Sequence, residues 1–187
     1  MDEGVAAPRR APVETRYTAS REVARREADA LATWLLHRPG RGRRLARRVG
    51  GLTAGLLLVA AGMVLVVDVA PVPTAGFFGG CAVLLAAFEV LGAPALTRRR
   101  CRRFVSSRVM PGSESRAAFT PATLELRTPG VDRRIDLANV VHAARVGPDL
   151  VLETPGPSVL VVVGELLTPE ADGVLEAALG DRLRRLR

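Results

Sequence analysis

The sequence predicts a membrane α-helical hairpin followed by a small cytoplasmic α+β domain. Residues 49–67 and 69–88 carry no charged side chain at neutral pH, and each run is close to the length that a helix needs to cross a hydrocarbon core about 30 Å thick. After Arg103 the apolar pattern changes to the alternation typical of strands, with turn-forming residues between short apolar runs. We therefore expect two spans first and a sheet after them.

Composition limits the chemistry that the chain can perform. The 187 residues have a formal net charge of +8, which in a soluble protein would favour a nucleic-acid partner. All 27 basic residues are arginine, which excludes a phosphate-loop lysine and a Schiff-base lysine. Lysine, asparagine and isoleucine, whose codons are AT-rich, are nearly missing, which indicates a GC-rich bacterial source. Two cysteines are too few for a disulfide framework or a four-thiolate metal site.

The positive charge lies in two windows beside the apolar runs. Residues 38–48 hold six arginines and residues 98–103 hold five, while the rest of the chain sums to −3. Arginine beside a span resists translocation, so both windows and both termini are expected in the cytoplasm. The windows lack the interleaved aromatic residues that stack on nucleic acids, whereas anionic lipid attracts each arginine by about 1 kcal/mol. We predict lipid-headgroup contacts and no nucleic-acid partner for Arg41, Arg43, Arg44, Arg47, Arg48, Arg98, Arg99, Arg100, Arg102 and Arg103.

Residues 49–97 are predicted to form the hairpin, with spans at about 49–67 and 75–96. Pro71 and Pro73 remove backbone donors and disfavour helix in the residues before them, so they are expected in the turn between the spans. No cleavable signal precedes the first apolar run, which we expect to act as the targeting signal itself.

Two glycine pairs lie in these spans at a spacing of four residues, Gly51 with Gly55 and Gly76 with Gly80. Small residues at this spacing let helix backbones approach closely. We expect the pairs to pack the hairpin against itself, with association between copies as the alternative.

Glu89 is the one acidic residue inside the second span. Intramembrane carboxyl groups are costly and often mark ion or proton paths. A structural alternative is a glutamate near the inner leaflet that is protonated or pairs with Arg47 or Arg48. We favour the structural role because no second polar residue lies at similar depth, and we keep Glu89 as a candidate functional residue.

Catalytic groups are sparse. Cys101 stands among five arginines, which are expected to lower the pKa of its thiol, but no metal-ligand spacing includes it. His142 falls in a predicted strand and has no serine–histidine–acid arrangement around it in the sequence. Asp132 and Asp136 point to one side of a strand, where neighbouring arginines favour a solvated charged face. We expect no enzyme activity, no cofactor and no metal site.

The segment before the spans is predicted to be a disordered tail over residues 1–16, followed by a cytoplasmic amphipathic helix and basic segment over residues 17–48. Ser20 can cap a helix that continues to His37, with its apolar residues on one face. That helix either lies at the membrane surface, with Trp34 among the headgroups, or packs on the C-terminal domain.

A basic linker over residues 98–116 is predicted to lead into a cytoplasmic domain over residues 117–187. Thr168 and Pro169 begin a helix, which continues into the basic end of the chain at Arg182, Arg184, Arg185 and Arg187. The domain is thus a small antiparallel sheet or partly open barrel closed by a C-terminal helix. The predicted strands are Ala117–Thr120, Thr123–Thr128, Arg133–Asp136, Val140–Val146, Leu150–Thr154 and Val159–Val163.

From about Tyr17 onward the chain resembles the YcxB-like family of bacterial membrane proteins. The matching residues are the run from Phe119 to Leu126, the run from Arg134 to Val140, and the apolar strand at Val159–Val163 with the helix after it. The resemblance implies a short cytoplasmic helix, two spans and a C-terminal pleckstrin-homology-like domain. It implies no known reaction.

These observations predict an integral inner-membrane protein whose cytoplasmic domain is a binding or assembly module. Its expected partners are anionic lipid headgroups and either another protein or further copies of this chain. The alternative is a small accessory subunit of a membrane transport or channel complex that uses Glu89. A cryptic enzyme is the third hypothesis.

Overall fold

The computed structural model describes residues 11–67, 70–129, 131–156 and 158–186, which fall into two compact units. Met1–Trp34 and Cys101–Arg187 belong to the first unit, and Leu35–Arg100 form the second. The first ten residues of the predicted tail and Asp68, at the end of the first predicted span, lie outside the described residues.

The second unit is a pair of helices that contact each other, α2 (Arg41–Val67) and α3 (Pro71–Ala87). A π-helical turn over Phe88–Gly92 follows, and then α4 (Ala93–Ser106). By length and composition, both α2 and the continuous helical stretch Pro71–Ser106 could cross a membrane.

Pro71 and Pro73 do not form the turn that the sequence predicts. Both lie in the first turn of α3, and Pro71 is its first residue. The first helical position needs no backbone donor, and the fixed φ of proline suits it, so these prolines begin the second helix instead of separating the two.

The first unit contains two four-stranded sheets. In sheet A the order is β1-β2-β3-β4 and every neighbouring pair is antiparallel. In sheet B the order is β7-β6-β5-β8, and β8 runs parallel to β5, so this sheet is mixed. The strands are β1 (Val13–Thr18), β2 (Glu114–Phe119), β3 (Thr123–Thr128), β4 (Val131–Asp136), β5 (His142–Val146), β6 (Asp149–Glu153), β7 (Val159–Val162) and β8 (Leu183–Leu186).

Two segments outside the predicted strands are ordered in this unit. Residues 13–16, predicted as part of a disordered tail, belong to β1, which pairs with β2 along its whole length. The segment 98–116, predicted as a basic linker, contains the end of α4, which continues to Ser106, and the start of β2 at Glu114.

The core of the first unit lies between the inner faces of the two sheets and helix α5 (Pro169–Leu179). Thr168 caps α5, since its Oγ1 accepts a hydrogen bond of 3.3 Å from Ala171 N. The helix buries Ala171, Leu175 and Leu179 in that core, which agrees with a sheet domain closed by a helix.

The basic end of the chain is not helical as predicted. At Gly180 the backbone adopts φ +50°, a conformation that favours glycine, and α5 ends there. Arg182 stabilises the turn: its guanidinium donates to the carbonyl oxygens of Ala178 at 2.8 Å and of Leu137 and Val140 at 3.1 Å each. The chain then reverses into β8.

Helix α1 (Arg21–His37) packs on the outer face of sheet B. Ser20 caps it as predicted, with Val23 N donating to its Oγ at 3.2 Å. Trp34 is 1% exposed and packs with Ala144 and Val151. Of the two predicted positions for this helix, the structure therefore has the one against the C-terminal domain.

Candidate functional site

Four arginines surround a groove on the surface of the first unit. Arg21 and Arg25 come from α1, and Arg102 and Arg103 come from α4. The groove has a volume of about 400 Å³, and Ala24, Val109 and Pro111 contribute apolar surface to it. Such a concentration of guanidinium groups over an apolar floor suits an anionic group with an apolar part.

The charges in this arginine groove are only partly compensated. Arg102 pairs with Asp29 on α1, with Nη2 3.0 Å from Oδ1. Among the described residues, none forms an ion pair with Arg21, Arg25 or Arg103. The sequence singled out only the two arginines of α4, because the contribution of α1 depends on where that helix packs.

The other predicted lipid-contact arginines lie on helices of the second unit. Arg41, Arg43, Arg44, Arg47 and Arg48 occupy the first two turns of α2. Arg98, Arg99 and Arg100 are exposed on α4. Large apolar side chains of the same helices are exposed as well. Leu65 near the end of α2 is 83% exposed, and Leu91 in the π-helical turn before α4 is 75% exposed.

Glu89 lies in the π-helical turn over Phe88–Gly92. In the same turn, the ring of Phe88 lies close to the position that a side chain at Gly92 would take. A Cβ at Gly92 would come within 2.8 Å of Phe88 Cδ2. Single π-turns inside α-helices are frequent at functional sites, and the sequence pattern gave no sign of this one. No described residue pairs with the Glu89 side chain, so the expected pairing with Arg47 or Arg48 is not present.

The glycine pairs do not lie where the two helices contact each other. At Gly51, Gly55, Gly76 and Gly80, no atom beyond the local helix backbone lies within 4 Å of the position of a Cβ. The prediction that they pack the hairpin against itself is wrong.

A small pocket penetrates the first unit beside α1. Its volume is about 120 Å³, and strands of both sheets and the segment after α4 line it. Most of the wall is apolar, with Leu31, Val105, Leu126, Val161 and Leu166 among its residues. A mostly apolar pocket with a few polar groups is the usual form of a small-molecule site.

Glu27 of α1 is the carboxyl group in this pocket. Burial, with a smaller contribution from the charge of Asp149, raises its pKa to about 7. No described residue forms a hydrogen bond or ion pair with its side chain. The sequence did not identify Glu27, because one glutamate on the polar side of an amphipathic helix looks like a solvated residue.

Two further carboxylates near the pocket are held by one arginine. Arg26 Nε lies 3.2 Å from Oδ2 of the buried Asp149, and its Nη2 bonds to Glu165. Tyr17 lines the pocket and hydrogen-bonds with Ser115, and burial raises the pKa of its hydroxyl. Glu27, Glu165 and Asp149 each raise that pKa further, so these carboxylates disfavour the ionised form of the Tyr17 hydroxyl.

The remaining residues that the sequence offered for chemistry are Cys101, Asp132 and Asp136. The pKa of the Cys101 thiol is raised by burial and by Asp29, which reverses the expected direction. Asp132 pairs with Arg127 at 3.5 Å, and Asp136 accepts a hydrogen bond from Ala138 N at 2.9 Å. Within the described ranges, no group of three or more His, Cys, Asp and Glu could hold a metal ion.

No known family model, curated protein or solved structure matches this chain. Its function therefore has to be argued from the arginine groove, the Glu27 pocket and the exposed apolar helices themselves.

Proposed function

We propose that this chain is an integral protein of the bacterial plasma membrane with two spans and both termini in the cytoplasm. The observation that carries the proposal is the pair of long apolar helices with exposed side chains, bounded by arginine-rich ends. In water such a surface would be a strong aggregation liability, whereas lipid covers it at no cost. The arginines then stay with the cytoplasmic leaflet.

The first unit is the cytoplasmic binding or assembly module of this proposal. The resemblance to the YcxB-like family implies a pleckstrin-homology-like domain here, and the two four-stranded sheets with α5 against their core support that part of the proposal. The module offers two surfaces suited to binding, a small and mostly apolar pocket and the arginine groove.

A topology experiment tests the membrane assignment. Cytoplasmic and periplasmic reporters are fused at the C-terminus and after Ala70, and the arginines of both windows are changed to glutamine. We expect the unchanged chain to report a cytoplasmic C-terminus, and the neutralised chain to insert in mixed orientations. The control changes Arg116, Arg127 and Arg134 of sheet A, which belong to neither window. Unaltered topology after both windows are neutralised contradicts the role of the arginines.

The arginine groove is the proposed contact with anionic headgroups, because its uncompensated guanidinium groups attract phosphate. Full-length protein in nanodiscs of phosphatidylcholine, with or without phosphatidylglycerol, provides the test. Hydrogen exchange in residues 21–25 should slow when the anionic lipid is present, and this effect should disappear in the Arg21→Gln, Arg25→Gln double variant. The Arg16→Gln, Arg116→Gln double variant serves as the control on sheet A. Equal exchange in both lipids rejects the groove as a headgroup contact.

A second candidate function follows from Glu89 in its π-turn. A local π-turn re-aims a side chain and leaves backbone carbonyls without regular partners, a combination suited to ion or proton passage. Glu89→Gln in proteoliposomes decides this candidate: loss of ion or proton flux supports a transport subunit. The transport function is rejected if Glu89→Gln gives the same flux as the unchanged protein, or if neither protein gives any flux.

A further inference from the structure

The unpaired carboxyl group of Glu27 gives the pocket beside α1 a chemical preference. Glu27 is partly buried, and a carboxylate that is shielded from water without a partner is costly. That cost is removed either by protonation or by a bound cation. No described residue supplies that cation, since Arg26, the basic residue next to Glu27 in the chain, is engaged by Asp149 and Glu165.

We infer that this pocket binds a small organic ammonium ion, with its charged nitrogen at Glu27 and a short apolar group against Leu31, Leu126 and Val161. A cavity of about 120 Å³ holds a group of a few carbon atoms, which sets the size of the ligand. The inference names the ligand class of the proposed cytoplasmic module and rests on that module, not on the two spans.

Carboxylates, and not the arginines in the lining, are the charges that act on the pKa values of Glu27 and Tyr17 in this pocket. Three carboxylates act on the Tyr17 hydroxyl, and all three disfavour its negative form. The two arginines that line the pocket are directed to other groups. Arg108 stacks on the Phe104 ring, with Cζ 4.1 Å from the centroid, and Arg133 Nη1 donates to Ser158 Oγ at 3.2 Å.

A metal ion fits this pocket poorly compared with an ammonium ion. Hard cations take six or more oxygen ligands, and Zn²⁺ prefers four ligands that include histidine or cysteine. Glu27 offers one carboxyl group with apolar neighbours, which matches an ammonium ion that carries its own apolar part.

Calorimetric titration of the detergent-solubilised full-length protein with n-butylammonium tests the inference, after subtraction of the heat from micelles alone. We expect binding at one site per chain and no binding of butyrate, the anion of matched size. Because the ionised carboxyl group is the binding form, the affinity should rise about ten-fold from pH 6 to pH 8. Glu27→Gln should bind at least ten-fold more weakly, and Glu22→Gln, on the exposed side of the same helix, should bind like the unchanged protein.

Four results would contradict the inference. Absence of n-butylammonium binding, equal binding of butyrate, binding independent of pH, or unchanged affinity in Glu27→Gln would each overturn it. The pH profile of the unchanged protein needs no variant, so a folding defect cannot conceal the answer. The topology experiment does not bear on this result, because a chain with a different topology still contains the pocket.

Discussion

Arg26 on α1 and Asp149 on β6 are 123 residues apart and form an ion pair, with Nε 3.2 Å from Oδ2. Asp149 is fully buried, and its Oδ1 also accepts a hydrogen bond of 2.8 Å from Gly164 N. The Asp149 carboxylate on β6 thus contacts both α1, through Arg26, and the segment after β7, through Gly164. This pairing makes the N-terminal helix part of the domain.

Asp149→Ala should destabilise the protein by about 1–3 kcal/mol, because the Gly164 N–H loses its acceptor and the Arg26 guanidinium keeps only Glu165. Urea unfolding of the solubilised protein, followed by the fluorescence of its single tryptophan, measures the change. Asp132→Ala on sheet A removes an ion pair between residues that are both about 70% exposed, and it should cost less than about 1 kcal/mol. Similar midpoints for the two variants would contradict the importance of the buried pair.

Trp34→Ala should release α1 from the outer face of sheet B, since the removed side chain fills the contact with Ala144 and Val151. The expected cost is about 3–5 kcal/mol. Faster hydrogen exchange and proteolysis across Arg21–His37 would show the release. Trp34→Phe is the matched control and should be milder, because Nε1 makes no hydrogen bond within the described ranges. Native-like protection of α1 in Trp34→Ala would refute this packing.

Glu27 should make stability depend on pH. Its pKa of about 7 in the folded protein exceeds the ordinary value of 4.5, so the folded state holds the proton more tightly. The stabilising contribution is complete below pH 4.5 and is lost as the pH rises through 7, with a total of roughly 1–3 kcal/mol. Unfolding midpoints at pH 5 and pH 8 should differ less in Glu27→Gln than in the unchanged protein. A pH dependence that Glu27→Gln leaves unaltered would show that another group causes it.

Gly92→Ala should disturb the π-turn, because the new Cβ would come within 2.8 Å of the Phe88 ring. We expect a loss of about 1 kcal/mol in thermal unfolding in detergent, and Phe88→Ala in the same chain should cancel that loss. Gly80→Ala is the control: its Cβ meets no atom within 4 Å, and alanine favours helix by up to about 1 kcal/mol. Independent effects of the two changes would argue against this contact.

Arg182→Ala should loosen the junction between α5 and β8, because five carbonyl oxygens that accept from its guanidinium lose that donor. Charge-assisted hydrogen bonds of this kind contribute about 1.5–3 kcal/mol, and we expect a loss in that range. Arg184→Ala, at an exposed position of β8, should change the unfolding midpoint little. Equal effects of the two substitutions would mean that Arg182 acts only as a surface charge.

Patterns within a few residues predicted the local elements well. Strand β3 begins and ends at the predicted residues, because Leu124 and Leu126 alternate with polar neighbours. Thr168 and Pro169 likewise placed the start of α5. The end of that helix was missed, since a Leu-Arg-Arg-Leu run allows helix or strand, and the choice depends on β5 being available as a partner.

The sequence by itself determined two long apolar helices with arginine at their ends, and a sheet domain closed by a helix. These features depend on local hydrophobicity and turn chemistry, which neighbouring residues carry. Only the tertiary structure decided that β1 and α1 join that domain, and that Glu27 lacks a partner in an apolar pocket. Those properties arise from residues about 100 or more positions apart, since burial and ion pairing depend on which segments meet.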